Sequence, residues 1–444
     1  MKKLLLATTM LGLIVGAAPA EAKKKKPLPP PPAPVVRVAP TDPVELYYYQ
    51  HADAPIWFRS DATRAAATRL SAILKRAPID GFTAGPGLAA QVDAAIAAAT
   101  PGNAAATKAA EFALSKAWVS YMQFLRTPPK GVVYGYPILQ PQARPDQILL
   151  TTAASADLAA QLDKMADVNP TYRGLREAAL ASGMTAADTS LASNLERARF
   201  LPSTGRFVMV DIGNATLTMY EGGQPVDKMK VVVGTPALQT PMIASIIHYV
   251  TLNPYWNVPP NLIHKVVAPG ALKGGDGYLK PRGYEVMSGW GPDATVLPAS
   301  SVDWQKVIDN PESIRVRQKP GLANSMGRLK VPFPSGQDIY LHDTPSKDKF
   351  KETDRHLSNG CIRLEDARRF ARWLMGREPA MSGSDPEQMV QLTQGVPVYL
   401  TYLTAEPGPD GKLVMRKDAY GWDGRPDLQL AASTAYTSVA RPAP

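Results

Sequence analysis

Cysteine is all but absent from this chain: Cys361 is the only one in 444 residues. That excludes an internal disulfide framework and any zinc site built from paired cysteines. Histidine is scarce too, five in all, and never in the His-Glu-x-x-His spacing of a zinc peptidase. Aromatic residues make up 7% of the chain and are not interleaved with basic ones, so nothing points to nucleic-acid reading. Long apolar runs are missing as well; Leu4–Val15 is too short to span a bilayer comfortably. Ser346-Lys347-Asp348-Lys349 fits Ser-x-x-Lys, but the Ser-x-Asn and Lys-Thr-Gly partners of a serine D,D-peptidase are lacking. That segment reads as a solvated, charged loop.

The two ends have distinct compositions. Lys2 and Lys3, the apolar run, and Ala18-Pro19-Ala20 or Ala20-Glu21-Ala22 read as an export signal over residues 1–22. A retained anchor is the alternative; without a cysteine there, a lipid anchor is excluded. A cleaved signal implies a periplasmic, oxidising location. A lone cysteine there is either a reactive thiol, half of an intermolecular bridge, or an inert core residue. Residues 23–43 hold four consecutive lysines and then a proline-rich stretch, expected to form an extended tether. The net charge of +10 suits an acidic polymer as partner without identifying one.

Between the ends the pattern changes once. Residues 44–190 are alanine-rich with helical periodicity. Asp61–Arg76 places Ala66, Leu70, Ile73 and Leu74 on one face, and Ala104–Leu125 carries Phe112, Leu114, Trp118, Tyr121 and Phe124. Ala153–Ala166 and Thr171–Ala181 continue in this style, with Pro78, Pro86, Pro101, Pro128 and Pro170 breaking the segments. This is expected to be a helical scaffold domain. Residues 191–424 read as a β-rich domain. Arg206–Asp211, Thr216–Tyr220, Val226–Val233, Met242–Leu252 and Ile339–His342 look like strands, with a turn at Glu221-Gly222-Gly223-Gln224. A late hairpin is expected from Gly395–Thr404 and Lys412–Arg416, and a helix over Glu365–Met375. The Gly- and Pro-rich stretch 257–326 is too long for a simple connection and is expected to be an inserted lid. Residues 425–444 are expected to be disordered. The fold class is therefore α+β, a helical scaffold followed by a β-rich domain with an inserted lid.

Cys361 lies in the polar run His356-Leu357-Ser358-Asn359-Gly360-Cys361-Ile362-Arg363-Leu364, between Arg355 and Arg363. Upstream, Asp338-Ile339-Tyr340-Leu341-His342 is a strand-like run ending in a histidine. A thiol acts as a nucleophile when a base and an electropositive setting accompany it, and this segment offers both. The backbone N–H groups of Gly360 and Cys361 are the natural oxyanion donors, because glycine permits close approach. His356 competes with His342 as base. His51, His248 and His264 read as non-catalytic.

His342 followed by Ser358-x-Gly360-Cys361-Ile362-Arg363 resembles the signature of the L,D-transpeptidases, with a YkuD-type catalytic domain. Further motifs resemble the large periplasmic subgroup of Gram-negative bacteria. They are Asn194-Leu195-Glu196-Arg197, Val231-Val232-Val233-Gly234, Gln239-Thr240-Pro241, Leu252-Asn253-Pro254-x-Trp256-Asn257-Val258-Pro259, Tyr340-Leu341-His342-Asp343-Thr344-Pro345 and Tyr402-Leu403-Thr404-Ala405. The resemblance covers roughly residues 190–424. Two departures stand out: His342-Asp343 replaces the more common His-Gly, and Tyr172–Asn194 is too short for the subgroup's peptidoglycan-binding module.

The resemblance implies a peptidoglycan stem tetrapeptide ending in diaminopimelate and D-alanine as donor. Cys361 would form a thioester at the L-centre of diaminopimelate, His342 would serve as general base, and an amine of a neighbouring stem would complete a 3→3 cross-link. No metal or cofactor is required. Tyr340, Ser358, Asn359, Arg363 and Trp256 are the candidate substrate contacts, with a loop-locking role favoured for Arg363. Trp256 is as readily a core aromatic as a cleft residue. Water in place of the amine would give an L,D-carboxypeptidase or a hydrolase releasing wall-linked protein, and an outer-membrane protein is an alternative acceptor. A non-catalytic wall-binding scaffold is the remaining reading.

Overall fold

A computed structural model describes residues 38–185, 187–380 and 385–429. The expected signal sequence, most of the proline-rich tether and residues 430–444 lie outside the described residues. No helix among the described residues is long and apolar enough to cross a membrane.

The first part is helical. Its helices are α1 (Pro43–Gln50), α2 (Asp61–Arg76), α3 (Gly85–Ala98), α4 (Ala104–Leu125), α5 (Pro145–Ala153), α6 (Leu158–Ala166), α7 (Pro170–Ala181) and α8 (Thr189–Ala198). α2 shows why they form where they do. Ser60 and Thr63 make a reciprocal capping box at its start, Ala66, Ala67, Leu70, Ile73 and Leu74 recur on one buried face, and Lys75 and Arg76 close the last turn. Two prolines that read as breaks instead begin helices: Pro86 and Pro170 occupy first turns, as Pro43 and Pro145 also do, where a missing N–H costs nothing. The expected helix 153–166 is in fact the end of α5 and a separate α6, which Asp157 caps by accepting from the Ala160 N–H.

Two buried carboxylates organise this half. Asp80 accepts the hydroxyls of Tyr121 and Tyr172, each at 2.7 Å. Glu111 accepts the N–H groups of Ile56 (3.0 Å) and Phe58 (2.8 Å) and the hydroxyl of Tyr48 (2.8 Å). Both carboxylates are buried but multiply hydrogen-bonded, as a buried charge requires.

The second part is built on one 10-stranded sheet. In chain order the strands of the molecule are β1 (Val132–Tyr134), β2 (Phe207–Asp211), β3 (Thr216–Glu221), β4 (Gln224–Gly234), β5 (Met242–Leu252), β6 (Trp256–Asn257), β7 (Tyr284–Met287), β8 (Val296–Leu297), β9 (Arg315–Gln318), β10 (Leu329–Pro332), β11 (Tyr340–His342), β12 (His356–Ser358), β13 (Ile362–Leu364), β14 (Gln388–Thr401), β15 (Ala405–Pro407) and β16 (Leu413–Met415). The main sheet runs β1-β5-β10-β11-β13-β4-β3-β2-β14, with β12 beside β4. Because β14 also pairs with β5, the path closes on itself and its core strands have no free edge. Inside lies an apolar core that includes Val208, Leu217, Val231, Ile243, Leu341, Ile362 and Leu400, with Phe370 from the helix Ala367–Met375 packed on it.

Within 257–326 the chain builds a second sheet, ordered β6-β9-β7-β8, over its own cluster of Ile263, Val267, Leu279, Val286, Trp304 and Val316. The stretch that read as a Gly- and Pro-rich interruption therefore has a core of its own.

Three expectations are corrected. The late hairpin joins β15 to β16, because the strand expected at 395–404 belongs to β14, held in the main sheet by β2 and β5. The disordered tail does not begin at residue 425: Gln429 is buried, accepts from Arg197 Nε at 2.9 Å and donates to the Lys130 carbonyl. Asp42 and Pro43, assigned to the tether, already cap and open α1.

α8 ties the helical part to the sheet. Asn194 accepts the N–H groups of Thr404 (2.7 Å) and Ala405 (3.1 Å) and donates to the Thr404 hydroxyl (2.7 Å). Arg197, 1% exposed, pairs with Asp423 at 2.7 Å. Breaking a buried pair from one side leaves the other charge stranded. Arg197→Ala is therefore expected to destabilise the protein by about 3–5 kcal/mol in chemical denaturation; a loss below about 1 kcal/mol, the scale of a surface pair, would contradict a structural role for this ion pair.

Candidate active site

Strand register assembles the site. β11 and β13 are parallel neighbours, with Leu341 opposite Ile362 and His342 opposite Arg363. Side chains alternate along a strand, so Leu341 and Ile362 enter the core while His342 and Arg363 share the other face. Cys361, one residue before Ile362, falls on that same face. On the far side of β11, β10 places Lys330 directly opposite His342. The result is a row across three strands, Lys330–His342–Arg363, with Cys361 just beyond it.

This face floors a cleft of about 550 Å³. Cys361, His342, Tyr340, Ser358, Asn359, Arg363 and Trp256 all line it, so the structure brings these seven sequence candidates together. Its opposite wall comes from the smaller subdomain and its flanks, including Tyr255, Pro260, Asn261, Glu312 and Met326. His356 is not among the lining residues. Its Nδ1 lies 2.7 Å from Asp354 Oδ1, and its ring packs edge-on against Tyr420.

The loop that bears Cys361 is held from within and from below. The buried Ser358 hydroxyl donates to the Cys361 carbonyl at 2.6 Å and accepts the Gly360 N–H at 3.1 Å. Ser358 therefore spends its hydroxyl on the loop. The Gly360 N–H, one of the two expected oxyanion donors, is thereby taken. Gly360, at φ +112°, adopts backbone that disfavours other residues. Beneath it, the Thr240 hydroxyl donates to the Gly360 carbonyl at 2.7 Å and accepts the Gly234 N–H at 2.9 Å. The Tyr420 hydroxyl donates to the Gly234 carbonyl at 2.7 Å.

The two neighbouring arginines part company. Arg355 bonds the carbonyls of Val231, Glu352, Asn214 and Ala215 and is purely structural. The side chain of Arg363 makes no hydrogen bond or ion pair with a described residue and faces the cleft. The loop-locking role favoured for Arg363 from sequence belongs to Arg355.

His342 is 5% exposed, and its Nδ1 lies 2.5 Å from the Asp343 carbonyl oxygen. That contact assigns the proton to Nδ1 and leaves Nε2 as the basic nitrogen. The Asp343 carboxylate is engaged elsewhere, accepting from the Arg328 N–H and from Lys347. Burial, reinforced by the Arg363 charge, pushes the imidazole down to about 4. The Cys361 sulfhydryl points at the Asp338 carbonyl, 3.6 Å away. Burial pushes the thiol up to about 11, against the pull of the Tyr340 N–H and of Arg363. At neutral pH both groups are therefore uncharged: a thiol and a neutral imidazole, with no standing ion pair.

Lys330, Asp338 and Thr240 escaped the sequence reading. Thr240 sat in a recognised motif without a role. Asp338, a non-glycine residue at φ +49°, supplies a backbone carbonyl that no sequence pattern marks. Lys330 becomes part of the site only through the pairing of β10 with β11.

A neutral pair has a measurable signature. The rate of Cys361 alkylation by iodoacetamide should rise with pH throughout the range from 6 to 10, following a thiol of about 11. A plateau at neutral pH, the mark of a preformed thiolate, would contradict it.

Comparison with known proteins agrees with this geometry. Residues 205–399 match the YkuD family, described as the L,D-transpeptidase catalytic domain, and residues 42–178 match the Scaffold domain. A Haemophilus influenzae protein named "Putative L,D-transpeptidase" is 29% identical over 325 residues, covering 70% of this chain and 65% of its own length. The chain thus spans just under two thirds of that relative. Among solved structures, an L,D-transpeptidase from Mycobacterium smegmatis is 14% identical, covering 45% of this chain and 59% of its own, with a TM-score of 0.23. One from Enterococcus faecium is 12% identical, covering 46% and 51%, with a TM-score of 0.22. These structural likenesses are too slight to support an argument. The chain thus carries an L,D-transpeptidase catalytic domain of the YkuD family over residues 205–399, preceded by a Scaffold domain over residues 42–178.

Proposed function

We propose that this protein is a periplasmic peptidoglycan L,D-transpeptidase that forms 3→3 cross-links between diaminopimelate residues. The observation that carries the reading is a lone cysteine and a buried histidine on one face of two paired strands, lining one cleft within a YkuD domain. The periplasmic location rests on the export signal in the sequence.

The chemistry follows from the neutral pair. A stem tetrapeptide lies in the cleft with the L-centre carbonyl of its diaminopimelate over Cys361. The thiol turns from the Asp338 carbonyl and gives its proton to His342 Nε2 as sulfur attacks that carbonyl. The Cys361 N–H receives the developing oxyanion. Collapse breaks the carbon–nitrogen bond, His342 returns the proton to the departing D-alanine amine, and a thioester remains. The side-chain amine of a second diaminopimelate then attacks the thioester and loses its proton through His342. The cysteine leaves as a thiol and the 3→3 amide is complete. The basic cleft face, with Lys330 and Arg363, suits a donor rich in carboxylates.

The test is intact-protein mass spectrometry with a purified disaccharide-tetrapeptide, followed by analysis of the muropeptides. An adduct on Cys361 and 3→3 dimers are expected. An adduct that yields only tripeptide would replace transpeptidation with hydrolysis, and transfer only to a protein amine would make a protein the acceptor. Cys361→Ala is expected to form no adduct. His342→Ala should slow acylation by roughly 10²–10⁴-fold, the range of general acid–base catalysis, and His356→Ala far less. The reverse ranking would move the base to His356.

A further inference from the structure

Lys330 lies in the cleft without a role in the steps above. Its ammonium sits 5.7 Å from the centre of the Tyr340 ring and 3.7 Å from Glu387 Oε2, longer than a hydrogen bond. Glu387 itself is occupied by the Tyr255 N–H, which its Oε1 accepts at 2.6 Å. The lysine is 19% exposed, so it is largely desolvated with donors to spare.

Its position relative to the reacting groups is fixed by register. His342 stands between Lys330 and Arg363, and Cys361 belongs to the Arg363 strand. In acyl transfer the leaving amine must meet His342 to gain its proton, and it departs on the side away from the sulfur. The next strand on that side carries Lys330. In an L,D-transpeptidase donor the leaving group is an amino acid, whose carboxylate is one carbon from that amine.

We propose that Lys330 binds the terminal carboxylate of the departing D-amino acid, and so restricts the enzyme to stems whose scissile bond precedes the last residue. A stem extended by one more residue, or ending in an amide, presents a neutral group there and leaves the ammonium with only the long ion pair to Glu387. Lysine suits this task as a compact point charge at the end of a flexible stem. This inference rests on the transpeptidase reading and adds the group that selects the donor.

The test compares initial rates of Cys361 acylation, by intact mass, for a stem tetrapeptide with a free C-terminal carboxylate and the same peptide with a C-terminal amide. The wild-type protein is expected to favour the acid by about ten- to a hundredfold in kcat/KM, the range of one charge-assisted hydrogen bond. Lys330→Met should lose most of that acid-to-amide ratio, chiefly through KM, and Lys330→Arg should retain it. Equal wild-type rates on the two peptides, or an unchanged ratio in Lys330→Met, would overturn the role of Lys330 while leaving the transpeptidase reading standing. No acylation of the wild type by either peptide would overturn both. Should Lys330→Met not fold, Lys330→Gln supplies the same comparison, and the wild-type ratio needs no variant.

Discussion

The site depends on one constraint, the register of three adjacent strands. Lys330, His342 and Arg363 form a row because β10, β11 and β13 pair residue for residue. A slip of one position in β13 would turn Cys361 and Arg363 into the core and bring Ile362 and Leu364 into the cleft. The register is pinned by burial: Val331, Leu341, Ile362 and Leu364 are essentially inaccessible, and any slip would expose them while burying charge. The same packing that stabilises the sheet thus aligns the side chains that line the cleft.

That alignment has an electrostatic consequence. Burial and the Arg363 charge disfavour imidazolium at His342, while burial of the sulfur outweighs the cationic pull on Cys361. The resting site holds a thiol docked on a carbonyl and a neutral base. Such a pair is poorly reactive as it stands, because the thiolate and not the thiol is the strong nucleophile. The loop that bears the thiol is rigid where it needs to be, clamped by Ser358 inside and by Thr240 and Tyr420 beneath. Helix α8 then fixes the helical part to the sheet through Asn194 and Arg197.

Much of this was legible in the sequence, for identifiable reasons. Cys361 and His342 stood out because their motifs are short, local and chemically unusual, and the helical part because its 3.6-residue periodicity is strong. Asn194 and Arg197 were visible as part of a motif, but their partners at residues 404, 405 and 423 lie some two hundred residues away in the chain and carry no local mark. The two arginines beside the cysteine looked alike; only the fold decides that Arg355 reaches backbone carbonyls while Arg363 faces the cleft. Ser358 looked like a substrate contact because polar loop residues near a nucleophile often are, yet its hydroxyl closes the loop. Lys330 was silent, since its strand joins the site through non-local pairing. The subdomain within 257–326 was hard to read because its strands are two to four residues long and too short for a period to register.

The most direct measurement is the ring-nitrogen spectrum of His342 in the free protein, by NMR on histidine-labelled material with His342→Gln for assignment. At pH 7 a neutral imidazole protonated at Nδ1 is expected, unchanged down to about pH 5 and titrating near 4. An imidazolium at pH 7, signalling a standing thiolate–imidazolium pair with Cys361, would contradict the neutral resting site and the activation sequence built on it.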